Sequence, residues 1–190
     1  MPTVTKITKD MILDASFDIA REKGMEEVSN REIAKRLNCS IRPIYYQFKN
    51  TSELKTELYN KIEKYFYTYL LNNISKDMPP YKQVGIKYIN FAREENNLFR
   101  ILFMSKVGYL PDNFITRDYE DYKELEGLIK ISTKLSDEDI KAFHIKMWMF
   151  THGIAALIAT NTVEFSEKQI QELLTEEFQS LMLFEKQNKQ

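Results

Sequence analysis

Apolar residues recur every three or four positions through most of the chain, and this spacing predicts helices rather than strands. Glycine occurs only five times, and the hairpin dipeptides Asn-Gly and Asp-Gly are absent. The sequence therefore predicts an all-α fold of about nine helices. They cover about 9–23, 30–37, 41–48, 51–74, 80–93, 98–104, 114–131, 137–162 and 167–184.

The first three predicted helices have clear end signals. Gly24 suits the end of the first helix, and Ser29 with Glu32 three positions later forms a capping box that begins the second. Asn38 tolerates the left-handed backbone that ends this second helix. Ser40 then follows as the predicted N-cap of the third.

The second and third helices have the features of a helix-turn-helix. Two crossed helices need a small residue where they touch, a turn residue that tolerates positive φ, and an apolar residue that holds the second helix on the first. Ala34, Asn38 and Ile44 stand at these positions. An unrelated helical hairpin could match three such positions, so spacing alone leaves both interpretations open.

The stretch VSNREIAKRLNCSIRPIYYQFKNTSEL resembles the TetR (TetR/AcrR) family of regulators. The residues that match the family pattern are Ser29, Arg31, Ile33, Ala34, Leu37, Ser40, Ile44, Tyr45, Phe48 and Leu54. Two positions depart from it, because Asn38 replaces the usual glycine and Thr51 replaces a lysine that contacts phosphate in the family. Residues 91–105 and the Trp-x-x-x-His-Gly segment at 148–153 also resemble family segments, less specifically.

The resemblance implies a DNA-binding domain over residues 1–50 and an effector-binding and dimerisation domain over 51–190. The third helix would lie in the major groove, where Arg42 could make a bidentate contact with guanine. The residues implied near base edges are Arg31, Ile41, Arg42 and Pro43. Those implied near phosphates or the groove edge are Tyr45, Tyr46, Gln47, Lys49 and Thr51, and Ser29 and Ser40 complete the predicted DNA-binding set. For Tyr45 we expect the ring inward and the hydroxyl outward.

Charge adds a local argument for DNA. The formal net charge is −1, which argues against polyanion binding by bulk charge. Between positions 31 and 49, however, five basic residues accompany a single acid, Glu32. On charge alone, a solvated helix face is an equally good interpretation. The basic residues are Arg31, Lys35, Arg36, Arg42 and Lys49.

Other features predict a cytoplasmic protein. Cys39 is the single cysteine, so no intrachain disulfide can form, and we expect a buried structural thiol. The N-terminus lacks a signal pattern, and no stretch approaches the ~20 apolar residues of a membrane span. We therefore expect no membrane partner.

The C-terminal part is rich in aromatic residues and methionine, which suggests an apolar effector cavity. Ordinary core packing is the alternative for each residue, and a structural role is the alternative for His152. His144 is a weaker candidate, and we expect no metal and no cofactor. The candidates are Tyr65, Tyr69, Tyr88, Phe91, Phe103, Met104, Tyr122, Met147, Trp148 and His152.

Small residues in the eighth helix and an apolar stripe in the last helix predict a second surface. In the resembling family these two helices pair with their mates in a homodimer, although packing within the chain's own domain is the alternative. The predicted interface residues are Gly153, Ala155, Ala156, Ala159, Ile170, Leu173, Leu174, Phe178 and Leu181.

Together these features predict a DNA-binding transcriptional regulator. We expect a repressor that leaves a palindromic operator when a small apolar or amphipathic ligand binds. The alternative is a TetR-like helical protein that acts through protein contacts without operator binding. The sequence has no Gly-rich phosphate loop and no Gly-x-Ser-x-Gly elbow, so it offers nothing for an enzyme.

Overall fold

The computed structural model describes residues 6–105 and 120–187, and the side chains of all of these except 120–122. These residues form nine α-helices and one short 3-10 helix (Met25–Glu27), with no strand among them, which confirms the all-α prediction. The α-helices are α1 (Lys9–Lys23), α2 (Asn30–Arg36), α3 (Arg42–Gln47), α4 (Thr51–Leu71), α5 (Pro80–Glu94), α6 (Asn96–Phe103), α7 (Glu120–Thr133), α8 (Asp137–Ala159) and α9 (Glu167–Gln187).

Most predicted helix ends agree with these bounds within three residues. The predicted start of the seventh helix at position 114 lies outside the described residues. Gly24 ends α1 at a φ of 92°, and Asn38 follows α2 at a φ of 49°, the left-handed backbone expected of both.

The capping box is half formed. The Ser29 hydroxyl accepts a hydrogen bond from the Glu32 backbone N–H at 3.3 Å, as predicted. The Glu32 carboxylate instead lies 3.8 Å from the Lys23 ammonium. Ser29 therefore satisfies one free N–H group of α2, and Glu32 joins α2 to the end of α1.

The predicted N-cap at Ser40 is wrong. Helix α3 begins at Arg42, its N-cap is Ile41, and no side-chain hydrogen bond caps it. Pro43 lies in the first turn, where a missing N–H costs nothing because that group has no partner within the helix.

The chain divides into two compact units. Unit 1 contains Met1–Phe66 and Glu95–Tyr109, and unit 2 contains Tyr67–Glu94 and Leu110–Gln190. Helices α1, α2, α3 and α6 belong to unit 1, α5, α7, α8 and α9 belong to unit 2, and the division falls within α4. The functional boundary after residue 50 stays a prediction.

Unit 1 is built around α1, which contacts α2, α3 and α6. Its core consists of branched aliphatic and aromatic side chains that are almost fully buried. They include Ile12, Ile19, Ile33, Ile44, Phe48, Leu54, Leu58, Leu98 and Phe99.

Unit 2 is built around the long contact between α5 and α8. Helix α8 is, within the described residues, the one helix long and apolar enough to cross a membrane by length and composition. The expectation that no stretch approaches this length was therefore wrong for α8. Residues such as Ile140, Phe143 and Ala155 of α8 are fully buried, so we interpret it as a core helix.

Candidate functional site

The α2–turn–α3 segment presents α3 on an apolar support. The side chains of Ile33, Ala34 and Ile44 are buried, and Ile44 is only 1% exposed. The turn is held by a hydrogen bond from the Cys39 backbone N–H to the Ala34 carbonyl at 2.9 Å. Ala34 and Ile44 are therefore buried, as their predicted packing roles require. Cys39 itself is half-buried, less than the buried thiol that we expected.

The outer face of α3 carries large exposed side chains. Tyr45 is 59% exposed and Tyr46 is 84% exposed, and Ile41 and Arg42 are exposed as well. The prediction that the Tyr45 ring packs inward was wrong, because Ile44 and Phe48 occupy the inward positions of this short helix. Both tyrosine rings are therefore available to pack on a sugar or a base edge.

The basic surface is smaller than its sequence suggested. Arg36 forms ion pairs with Glu22 and with Asp18 of α1, the latter at 3.4 Å. We therefore remove Arg36 from that surface, because its charge is already neutralised. Arg31, Lys35, Arg42 and Lys49 remain exposed. Within the described parts of the chain, Arg42 has no hydrogen-bonding or ion-pairing partner of its side chain.

The flanking residues of the predicted DNA surface have mixed roles. The Gln47 amide donates to the Ile7 carbonyl at 3.5 Å, so it is partly engaged. Thr51 is exposed at the first position of α4, and Ser40 is exposed in the turn. Asn50 caps α4 by accepting from the Glu53 backbone N–H at 2.8 Å, which fixes where α4 begins beside α3.

Comparison with known proteins shows which family this segment matches. Residues 12–58, which include α2, the turn and α3, match the tetR family of bacterial regulatory proteins. The chain carries a TetR-family helix-turn-helix domain. Among curated protein sequences, none matches the chain.

Solved structures extend the TetR-like fold over nearly the whole chain. A putative TetR-family transcriptional regulator from Vibrio parahaemolyticus is 15% identical, covers 90% of this chain and 96% of its own, and superposes with a TM-score of 0.63. A TetR-family regulator from Haemophilus influenzae is 16% identical, with coverages of 90% and 93% and a TM-score of 0.63. A TetR variant from Acinetobacter baumannii, solved in complex with minocycline, is 16% identical, with coverages of 97% and 99% and a TM-score of 0.59.

Unit 2 of this TetR-like chain contains a cavity of about 340 Å³. Helices α5, α8 and α9 supply nearly all of its wall, together with Ser132 of α7. The wall is mostly apolar or aromatic, and three predicted effector residues belong to it: Tyr88, Met147 and Trp148. The remaining lining residues are Pro79, Tyr81, Lys82, Val84, Gly85, His144, Thr151, Leu174, Thr175, Phe178 and Gln179.

Several predicted effector residues do not line this cavity. Tyr69 and Phe91 pack edge to face, with ring centroids 5.2 Å apart, and Phe103 packs on Phe66 at the same distance. Such pairs are ordinary core packing, because edge-to-face contact is favourable by itself. Tyr65 bonds to Glu95, and Met104 is exposed in unit 1. The Tyr122 side chain lies outside the described residues.

Two tyrosine–histidine hydrogen bonds join α5 to α8 beside the cavity. The Tyr81 hydroxyl lies 2.9 Å from His144 Nδ1, and the Tyr88 hydroxyl lies 2.9 Å from His152 Nδ1. Trp148 stacks on the His152 ring, with centroids 5.0 Å apart. His152 does not itself line the cavity, but it contacts two residues that do, Tyr88 and Trp148.

Burial lowers the pKa of both histidines and raises that of Tyr88. The pKa of His144 falls to about 4 because burial disfavours the charged imidazole, and the pKa of His152 also falls for this reason. The pKa of the Tyr88 hydroxyl lies well above its ordinary value, again through burial. At neutral pH both pairs are therefore uncharged, with each tyrosine hydroxyl able to donate to a neutral imidazole.

The buried neutral His144 should make the fold acid-sensitive. The unfolded chain binds a proton near pH 6.5 and the folded chain only near pH 4, so stability is complete above pH 6.5 and falls as the pH drops from there to 4. At pH 5 we expect a loss of about 2 kcal/mol from this group. Urea unfolding at several pH values would measure it. His144→Asn should flatten the curve, and parallel curves for the two proteins would disprove this origin.

The Glu95 side chain joins α1 to α4 within unit 1, and Glu95 itself directly precedes α6. Its carboxylate is 5% exposed, accepts from Arg21 Nε of α1 at 2.6 Å, and accepts from the Tyr65 hydroxyl of α4 at 2.9 Å. The bond raises the pKa of Arg21, so its guanidinium stays charged. Glu95 is also the single residue between α5 and α6. The carboxylate that holds α1 therefore lies directly after the end of α5 in the chain.

The predicted dimer residues do not all face outward. Ala155, Ala159, Ile170 and Leu174 are buried within unit 2, so their side chains cannot contact a partner, and we remove them from the interface set. Gly153 is exposed, whereas Ala156, Leu173, Phe178 and Leu181 are half-buried. Phe178 also lines the cavity.

Sequence reasoning missed four exposed apolar residues. Met149 and Leu157 lie one turn before and after Gly153 on α8 and are 55% and 38% exposed. Leu183 and Phe184 are exposed on α9. Their spacing around Gly153 and after Leu181 was visible in the sequence. Within the described residues, no group of three or more His, Cys, Asp or Glu could hold a metal ion.

Proposed function

We propose that this chain is a DNA-binding transcriptional regulator that works as a homodimer in the cytoplasm. The observation that carries the proposal is the family-matched helix-turn-helix with an exposed α3 face. Ile41, Arg42, Tyr45 and Tyr46 point away from the support that Ile44 and Phe48 give. A short exposed helix with an exposed arginine suits the major groove, where an arginine can bind guanine O6 and N7.

Binding to duplex DNA tests this proposal. The purified chain is titrated onto duplexes from the promoters of its own and neighbouring genes at several salt concentrations. We expect specific binding that weakens as salt rises, because lysine and arginine displace counterions from phosphates. If the chain binds no duplex at low ionic strength, the alternative of a TetR-like protein that acts through protein contacts replaces the proposal.

The open apolar face of α8 and α9 supports the homodimer. Met149, Gly153 and Leu157 share one face of α8, and Phe184 of α9 is also exposed. Exposed apolar residues so spaced on two long helices are typical of a subunit interface. A two-fold dimer would place two reading helices about 34 Å apart, on successive major grooves of a palindrome.

Gly153→Glu should convert the dimer to a monomer. A Cβ at Gly153 meets no atom within 4 Å, so the substitution fits the isolated protomer and also removes a poor helix former. Light scattering coupled to size exclusion should give half the mass of the unaltered protein. The circular dichroism spectrum should be unchanged, which would show that the variant is folded. Gly127→Glu is a matched control, because Gly127 of α7 is equally unobstructed. A dimeric Gly153→Glu protein would place the interface elsewhere.

The cavity supports ligand control. We infer that a small apolar or amphipathic ligand in unit 2 releases the repressor from its operator. Among the described residues, the chain passes between the two units within α4 and again from the end of α5 to Glu95. We expect the ligand to shift α4 and so change the spacing of the two reading helices, which requires different ligand affinities for the two states.

A further inference from the structure

The charge of the cavity wall is uneven. Lys82 is the single lysine or arginine among the described lining residues, and none of those residues is an aspartate or a glutamate. The one lining histidine, His144, is neutral at neutral pH. The wall therefore carries one positive charge in surroundings that are otherwise apolar or neutral.

The partners of Lys82 leave that charge uncompensated. Its ammonium donates to the Thr175 hydroxyl at 2.7 Å, and this hydroxyl donates in turn to the Gln171 carbonyl at 2.7 Å. In the described parts of the chain, no carboxylate lies within ion-pair distance of Lys82. A half-buried ammonium has three donors, and a neutral hydroxyl satisfies only one of them. An anion in the cavity would satisfy the others and stabilise the charge.

The rest of the wall suits an apolar body of limited size. Tyr81, Tyr88, Met147, Trp148 and Phe178 surround the space. Its volume of about 340 Å³ is near the lower end of the range of about 300–1,000 Å³ for small-molecule sites. The ligand must therefore be small.

We propose that the cavity binds a small amphipathic monoanion, with its acidic group on the Lys82 ammonium and its apolar body among the aromatic side chains. This assignment rests on the proposed function in using the effector cavity, but it concerns ligand class and requires no DNA. It excludes cationic ligands, because they would meet the Lys82 charge without a carboxylate to offset it.

Trp148 gives a direct measurement of binding. It is the single tryptophan of the chain and lines the cavity, so its fluorescence reports occupancy. The probes are octanoate, octan-1-ol and octylammonium, which share an apolar chain and differ in charge. We expect octanoate to bind at least tenfold more tightly than octylammonium, with octan-1-ol between them. Equal affinities, the reverse order, or no binding of octanoate would overturn the proposal.

Substitutions of Lys82 test its role. Lys82→Met should remove the preference for octanoate, and Lys82→Arg should retain it, because arginine keeps the charge. Lys87→Met is the control: Lys87 lies on the same helix, bonds to the Asn72 carbonyl and does not line the cavity. A Lys82→Met protein that still prefers octanoate would contradict the assignment. If that variant does not fold, the ranking of the three probes on the unaltered chain decides.

The same probes separate this proposal from regulation of DNA binding. If octanoate binds at Lys82 but leaves operator affinity unchanged, the ligand assignment stands and release by this ligand fails. If the chain binds no DNA but ranks the probes as expected, the cavity proposal stands and the regulator proposal fails. If operator affinity responds to octylammonium rather than to octanoate, the ligand class is wrong and regulation through the cavity stands.

Discussion

Replacing Arg42 with alanine should weaken operator binding by about 1–3 kcal/mol for each reading helix, and the two helices of a dimer should lose roughly twice that. Arg42 is exposed at the first position of α3, and within the described residues no carboxylate or carbonyl holds its guanidinium. Its removal therefore takes a base contact away without disturbing the fold. Fluorescence anisotropy with a labelled operator would measure the loss.

The control for this prediction is Arg100→Ala. Arg100 is also exposed, but it lies on α6 rather than in the helix-turn-helix. We expect it to leave operator affinity within about twofold, since most exposed substitutions have small effects. Replacing the contacted guanine by 7-deazaguanine should lower the affinity of the unaltered protein for the duplex. The affinity of the Arg42→Ala variant should not change. Equal sensitivity of both proteins would show that Arg42 does not read that base.

Replacing Ile44 with alanine should lower the free energy of unfolding by about 2–5 kcal/mol. Ile44 is 1% exposed and packs α3 on unit 1, so truncation leaves a cavity under the reading helix. Urea or thermal unfolding of the full chain would measure the loss. Operator affinity should also fall, because α3 loses the contact that fixes its orientation.

Ile41→Ala is the matched control for Ile44. Ile41 lies three residues earlier and is 41% exposed, so the same truncation should cost less than about 1 kcal/mol of stability. Its effect should be limited to operator discrimination, where its side chain could contact a thymine methyl. If Ile44→Ala were no more destabilising than Ile41→Ala, the assignment of Ile44 as the residue that anchors α3 would be wrong.

The sequence predicted the helix-turn-helix well because its signals are local. Ser29 and Asn38 act through a bond or a backbone conformation within a few residues, and each takes its predicted role. Ile44 is buried, as its predicted packing role requires. The predicted N-cap at Ser40 was wrong because α3 begins one residue later than predicted. Its N-cap is Ile41, and no side chain bonds to the free N–H groups of its first turn. Cap residues predict the presence of a helix better than its first residue.

The cavity could be predicted only in part. Periodicity shows which face of a helix is apolar, but it does not show whether that face meets a neighbour or encloses a space. Tyr69, Phe91 and Phe103 therefore looked like Tyr88 and Trp148 in the sequence, although the first three pack in the core. A signal did exist in the near-equal spacing of two tyrosines and two histidines: seven residues separate Tyr81 from Tyr88, and eight separate His144 from His152.

Charged residues were difficult for a related reason. Lys82 and Arg36 are ordinary basic residues in the sequence, yet one lines a cavity without an ionic partner among the described residues and the other is neutralised by α1. Their roles depend on which helices meet. This long-range information is absent from the local pattern, and it decides which positive charges are available to a ligand or to DNA.

Selection of bound sequences from random duplexes tests the central claim most directly. The unaltered chain and the Arg42→Ala variant are each incubated with the pool at low ionic strength, and the retained duplexes are sequenced. We predict a two-fold symmetric site with a guanine in each half for the unaltered chain, and loss of that guanine preference for the variant. Failure of the unaltered chain to enrich any sequence, or identical sites for both proteins, would contradict the account.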